Sequence, residues 1–272
     1  MLAAVLMLAG ISATAAEFRA SDGTRLHYAA SGAGETIVLV PGWTMPASIW
    51  APQIEYLSSR YRVIAFDPRA QGESAVAKGG YTMERRARDI GELIDHLGVP
   101  RVVLAAWSLG VLESLAYVRA QGDARVAALV LVDNSVGEDP PPAARGGNFF
   151  ERLRRDRVKT VADFVREMFR STQSQAYLDA LTAEALKTPL AASIDLLTIR
   201  QPREYWREAV YGTAKPVLYA VTPRYRGQAE NLQRKRPATR TEVFENAGHA
   251  LFVDEPQRFN ALLDEFLADA LR

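Results

Sequence analysis

The chain has 272 residues, 48% of them hydrophobic and 24% charged, the composition of an ordinary globular protein long enough for one large α/β domain. Its 33 Lys and Arg against 32 Asp and Glu leave a net charge of +1, so no electrostatic feature points to nucleic acid or an anionic membrane surface as a partner. Cysteine is absent, which excludes disulfides, thiolate zinc sites and cysteine nucleophiles, and three histidines (His27, His96 and His249) are too few for a histidine-rich metal site.

Residues 1–16, MLAAVLMLAGISATAA, form an uncharged apolar run ending in small residues before the polar EFRASDG, as in a secretory signal peptide without its positive n-region. The expectation is cleavage near Glu17 and a periplasmic or secreted protein. A membrane anchor is the main alternative, although the run is shorter than the ~20 residues a bilayer requires, and no other stretch is apolar enough to span a membrane. A cytoplasmic location is the third reading.

From residue 17 onward, short apolar runs bounded by Gly, Pro and Asp alternate with segments of helical period, the pattern of strands joined by crossover helices. Strands are expected at 25–30, 36–40 (TIVLV), 61–66, 101–106 (RVVLAA), 126–132 (VAALVLV), 216–221 and 240–245. Several are apolar throughout, as in a parallel sheet covered on both faces. Met83, Ala87, Ile90, Ile94 and Leu97 give one stripe on a helix over roughly 82–97, and Phe259, Leu262, Leu263, Phe266 and Leu267 do the same for the last helix. The alternation breaks between 136 and 212, where helical segments follow one another after Asp139-Pro140-Pro141-Pro142. The expected division is therefore a core of 17–135 and 213–272 with a helical lid of 136–212 over a pocket. Most of the lid's bulky residues (Phe149, Phe150, Val161, Phe164, Val165, Met168, Tyr177, Leu181, Leu197, Trp206) are read as its own small core, and the run Arg152, Arg154, Arg155, Arg157, Lys159 as a solvated helix face.

Chemistry enters at Leu104-Ala-Ala-Trp-Ser-Leu-Gly-Val, which places Ser108 where an apolar strand meets a helix. That is a G-x-S-x-G nucleophile elbow with Ala106 in its first position. Small residues suit a turn whose flanks press against neighbouring strands. A serine hydroxyl needs a base of matching pKa, and His249, in Asn246-Ala247-Gly248-His249 between the last strand and last helix, stands in the chain order expected of that base. His27, in an early strand, and His96, near a helix end, are assigned structural or solvent roles.

With these motifs the chain resembles the α/β-hydrolase superfamily, in particular its lidded serine esterases and cofactor-free haloperoxidases or perhydrolases. The likeness runs from about Phe18 to the C-terminus and rests on PGWTMPASIW (41–50), FDPRAQGES (66–74), WSLGVLESLAY (107–117) and AGH (247–249). It implies an eight-stranded, mostly parallel sheet with flanking helices, a helical lid after the sixth strand, and no cofactor or metal. Relatives place the triad acid either after the strand 216–221 or at the end of the strand after the nucleophile helix. The first loop, Thr222-Pro223-Arg224-Tyr225-Arg226-Gly227, holds no carboxylate, whereas Leu131-Val132-Asp133-Asn134 puts Asp133 at the second place. Asp133 is therefore assigned, with Glu230 and Glu245 as alternatives. The oxyanion donors implied are the backbone N–H groups of Leu109 and of Trp43, which follows Gly42 in the loop after TIVLV. Pro41 stands where the resemblance calls for histidine. Ser108 excludes the aspartate-nucleophile chemistry of dehalogenases and epoxide hydrolases.

The expected activity is hydrolysis of a small or medium, partly apolar ester or lactone through an acyl-enzyme on Ser108. The alternatives are perhydrolase or haloperoxidase chemistry at the same serine, and a ligand-binding member of the fold without catalysis.

Overall fold

The computed structural model describes residues 13–142 and 148–272. Eight strands make one sheet: β1 (Thr14–Arg19), β2 (Arg25–Ser31), β3 (Thr36–Val40), β4 (Arg62–Asp67), β5 (Val102–Trp107), β6 (Val126–Val132), β7 (Val217–Val221) and β8 (Thr239–Val243). Their spatial order is β1-β2-β4-β3-β5-β6-β7-β8. β2 runs antiparallel to both β1 and β4, and every other pairing is parallel. All residues of β3, β5, β6 and β7 are buried, which is why they read as unbroken apolar runs.

Seven strands fall within two residues of their expected positions. The eighth, β1, begins inside the apolar run taken for a leader: Thr14, Ala15 and Ala16 pair with Ala30, Ala29 and Tyr28. A cut before Glu17 would remove the first half of this edge strand. Residues 1–12 of the expected leader lie outside the described residues, among which no helix is long and apolar enough to cross a membrane.

The helices are α1 (Ala51–Leu57), α2 (Met83–Leu97), α3 (Leu109–Gln121), α4 (Phe149–Arg155), α5 (Arg157–Glu167), α6 (Gln175–Lys187), α7 (Leu190–Leu197), α8 (Arg203–Gly212), α9 (Arg226–Lys235), α10 (Leu251–Asp254) and α11 (Pro256–Ala270). Thr82 caps α2 by accepting the Arg85 N–H, and Gly98 ends it in the left-handed conformation. α3 is buried from Leu109 to Val118, as a helix apolar on nearly every side must be.

The stretch 136–212 divides in two. α4, α5, α6 and α7 pack on one another, while α8 lies against α3, where the Trp206 indole donates to Leu112 O at 3.1 Å. The basic run is likewise less uniform than its sequence. Arg154, Arg155 and Lys159 are exposed, but Arg157 donates to the carbonyls of Leu186 and Thr188 and burial lowers its pKa. The guanidinium of Arg152 sits over the Phe149 ring.

A buried polar chain joins α2 and α3 to the loops after β4 and β3. Arg86 Nε on α2 lies 2.7 Å from Glu113 Oε1 on α3. Arg86 Nη2 donates to Gln71 Oε1 at 3.0 Å, and Gln71 Nε2 donates to Gly42 O and Met45 O at 2.9 and 2.8 Å. Burial pushes the Glu113 pKa up to about 7 against the pull of Arg86. Removing one partner of a buried pair strands the other without its counter-charge. Arg86→Met is therefore expected to cost about 3–5 kcal/mol of stability, read from urea unfolding; a change under about 1 kcal/mol, the scale of an exposed pair, would mean that the pair is not a structural tie.

Candidate active site

In a mostly parallel sheet, ligands bind beyond the carboxyl ends of the strands, and five such ends converge here. Ser108 follows β5 with φ 55° and ψ −123°, a backbone seldom adopted by residues other than glycine. Two contacts from the end of β6 hold that turn: Ser108 N–H donates to Val132 O at 2.9 Å, and the Asn134 side-chain amide donates to Ser108 O at 2.7 Å. A Cβ on Gly110 would stand 2.7 Å from Pro41 O, and one on Gly42 would stand 2.8 Å from Ser108 Cβ. Glycine at both places lets the loop after β3 close on the elbow. Ala106 pairs between Val40 and Leu131 with no exposed surface, so its methyl is accommodated where the motif has glycine.

The structure brings Ser108, His249 and Asp133 into one hydrogen-bonded chain. His249 Nε2 lies 2.8 Å from Ser108 Oγ, and His249 Nδ1 lies 2.7 Å from Asp133 Oδ2. The geometry fits the tautomer in which Nδ1–H donates to the carboxylate and Nε2 accepts from the hydroxyl. Asp133 is 2% exposed. Its other oxygen, Oδ1, accepts both the N–H and the hydroxyl of Thr222, each at 2.7 Å. The loop after β7, empty of carboxylates, thus supplies the donors that hold an acid projecting from β6. Sequence reasoning missed Thr222; a hydroxyl immediately after β7, the strand next to β6, was the available signal.

Neither alternative acid approaches. Glu230 and Glu245 are exposed, and Glu245 pairs with Arg226. His27 is held by Asp67 at 2.8 Å, in the pairing of β2 with β4. His96 stacks on Phe18 with ring centroids 5.2 Å apart. Another residue missed from sequence is Trp107, whose indole donates to His249 O at 2.7 Å.

Leu109 opens α3, so its N–H is a first-turn donor without an intrahelical acceptor. Trp43, the other expected backbone donor, is buried, and its indole donates to Ser193 O on α7 at 2.7 Å. The ring meets Phe149 and Phe164 edge-on, with centroids 5.4 and 5.0 Å away. A cavity of about 720 Å³ opens over Ser108 and His249 and is walled by Trp43, Phe149, Phe164, Met168 and Leu197. Arg152, Asp163 and Glu167 also line it, and Lys159 beside Asp163 holds that carboxyl below its usual range. Among the described residues no cluster of His, Cys, Asp and Glu could hold a metal ion.

A hydroxyl, an imidazole and a buried carboxylate in this order, beneath a mostly apolar cavity, are an arrangement that can draw the proton from a serine hydroxyl. The fold that carries it is the α/β-hydrolase fold. A profile of the Alpha/beta hydrolase family matches residues 37–262, and the chain belongs to that family. It is 34% identical over 199 residues to a non-heme haloperoxidase from Rhodococcus erythropolis, covering 72% of this chain and 68% of that one. It is 27% identical over 266 residues to a pimeloyl-acyl-carrier-protein methyl ester esterase from Aliivibrio salmonicida, covering 90% and 96%. Among solved structures, an esterase from Exiguobacterium antarcticum superposes with a TM-score of 0.82 at 22% identity over 93% of this chain and 98% of that one, a likeness of fold.

Asp133→Asn is expected to slow phosphonylation of Ser108 by a fluorophosphonate probe by roughly 10³–10⁴-fold, with Glu230→Gln and Glu245→Gln at the unaltered rate. Loss in a glutamate variant alone would move the acid elsewhere. Thr222→Val keeps the N–H and deletes the hydroxyl, so its rate should fall between wild type and Asp133→Asn.

Proposed function

We propose that this protein is a serine hydrolase that cleaves a small or medium, partly apolar carboxylic ester or lactone. The observation that carries this reading is the continuous chain from Ser108 through His249 to buried Asp133, opening onto the apolar cavity. His249 takes the Ser108 proton as Oγ attacks the ester carbonyl. It then gives that proton to the departing alcohol oxygen, leaving the acyl group on Ser108. Asp133 holds the imidazole in orientation and stabilises its cation, with Thr222 keeping the carboxylate in place. The N–H groups of Leu109 and Trp43 face the developing oxyanion. Water, deprotonated by His249, then hydrolyses the acyl-enzyme.

In this reading α4–α7 act as the lid, and Phe149, Phe164, Met168 and Leu197 receive the apolar acyl or alcohol portion. Ser108→Ala is expected to lower p-nitrophenyl ester turnover by at least about 10³-fold; full activity in that variant would rule out the acyl-enzyme.

The likeness to a non-heme haloperoxidase favours a second reading. Hydrogen peroxide replaces water in the second step, attacks the acyl-enzyme and leaves as the peracid, returning its proton through His249. Halide oxidation that requires both acetate and peroxide and disappears in Ser108→Ala is the expected result. Ester hydrolysis without peracid formation would discard this reading and leave the first.

A further inference from the structure

His249 lies on a turn whose neighbouring backbone groups are tied to the helical insertion. Ala250 N–H donates to Met168 O at 2.9 Å, and the turn 168–170 presses on Gly248 so closely that a Cβ there would stand 2.6 Å from Met168 O and 3.0 Å from Arg170 N. Asp254, the last residue of α10, joins the two segments. Its Oδ2 accepts Gly248 N–H at 2.7 Å and Arg170 N–H at 2.9 Å. Its Oδ1 accepts Ser171 N–H at 3.1 Å and the Ser171 hydroxyl. One carboxylate thus takes four donors, one from the residue before His249 and three from the segment after α5. The Trp107 indole in turn donates to His249 O at 2.7 Å.

We infer that Asp254 is a positioning residue that sets the reach of His249 to Ser108 and Asp133 by clamping the histidine turn to the insertion. This rests on the hydrolase reading for its kinetic consequence, but not for its structural one. Four donors converge on two oxygens, and each carboxylate oxygen can accept more than one. Asparagine offers a single acceptor oxygen and turns an NH₂ toward the remaining N–H donors. One arm of the clamp therefore fails even in the isosteric variant. A shift of the imidazole by a fraction of an ångström lengthens both of its bonds, and misplacement on the 1 Å scale costs of order 10²-fold in rate. Asp254 touches no substrate in this arrangement, so binding is spared.

The test compares wild type, Asp254→Asn and Asp254→Ala in three measurements: p-nitrophenyl ester kinetics, thermal unfolding, and the low-field proton NMR signal of His249 Nδ1–H, assigned by its loss in His249→Asn. Both variants are expected to lower kcat by roughly 10–100-fold with KM within about twofold. Asp254→Ala should be the more severe, and the low-field proton should broaden or move upfield in samples that remain folded. Wild-type kcat and an unmoved proton signal in either folded variant would overturn the inference. So would a kcat loss matched by the loss of folded protein. The proton signal reports the placing of His249 whether or not the chain hydrolyses esters, so a protein without esterase activity whose signal shifts in Asp254→Asn refutes the hydrolase reading and leaves the clamp standing.

Discussion

The structure turns on the backbone of Ser108, held at positive φ between a buried strand and a buried helix. A side chain in that conformation costs of order 1–3 kcal/mol and persists only where the surroundings over-determine it. Here they do so from both sides. β6 supplies the Val132 carbonyl and the Asn134 amide, and the loop after β3 closes in through Gly42. In that conformation Oγ lies 2.8 Å from His249 Nε2. The remaining site residues lie at the ends of the strands on either side of that turn.

Those strand ends are steadied by polar chains as well as by the apolar core. Glu113, Arg86 and Gln71 link the middle of α3 to the carbonyls of Gly42 and Met45, so the helix that follows Ser108 and the loop that carries Trp43 are braced by one buried network. Its ion pair and its hydrogen bonds to two loop carbonyls tie elements that are distant in sequence. The helical stretch 136–212 reaches the site through other ties, among them the Trp43 indole on Ser193, the Ala250 N–H on Met168 O and the Asp254 carboxylate on residues 170 and 171. The same helices that wall the cavity therefore also bear on the two loops flanking the proposed nucleophile.

Much of this was legible in sequence because a parallel sheet buries its central strands on both faces and so writes them as continuous apolar runs. β3, β5, β6 and β7 were readable for that reason, and Ser108 followed from its place between a run and a helix. β1 was not readable, since its first half lies in an apolar stretch that also resembles a leader. The helical stretch 136–212 showed no internal boundary, because the apolar stripe of α8 looks the same whether it faces α3 or another inserted helix. Arg157 looked like its exposed neighbours until the carbonyls of Leu186 and Thr188 were beside it.

By itself the sequence pointed to the family fold through its motifs, marked the strand ends from which chemistry projects, and put Ser108 and His249 forward as partners, because hydrophobic period is a local property and the motifs carry a chain order. It also pointed to Asp133, by the absence of a carboxylate in the loop after β7. Only the tertiary structure decided that Asp133 reaches His249 while Glu230 and Glu245 stay exposed, and that Thr222 and Asp254 hold the acid and the histidine turn. Those contacts join residues 89 and 6 positions apart across neighbouring elements. The register of parallel strands and the path of a turn set such distances, and neither is written in the spacing of residue types.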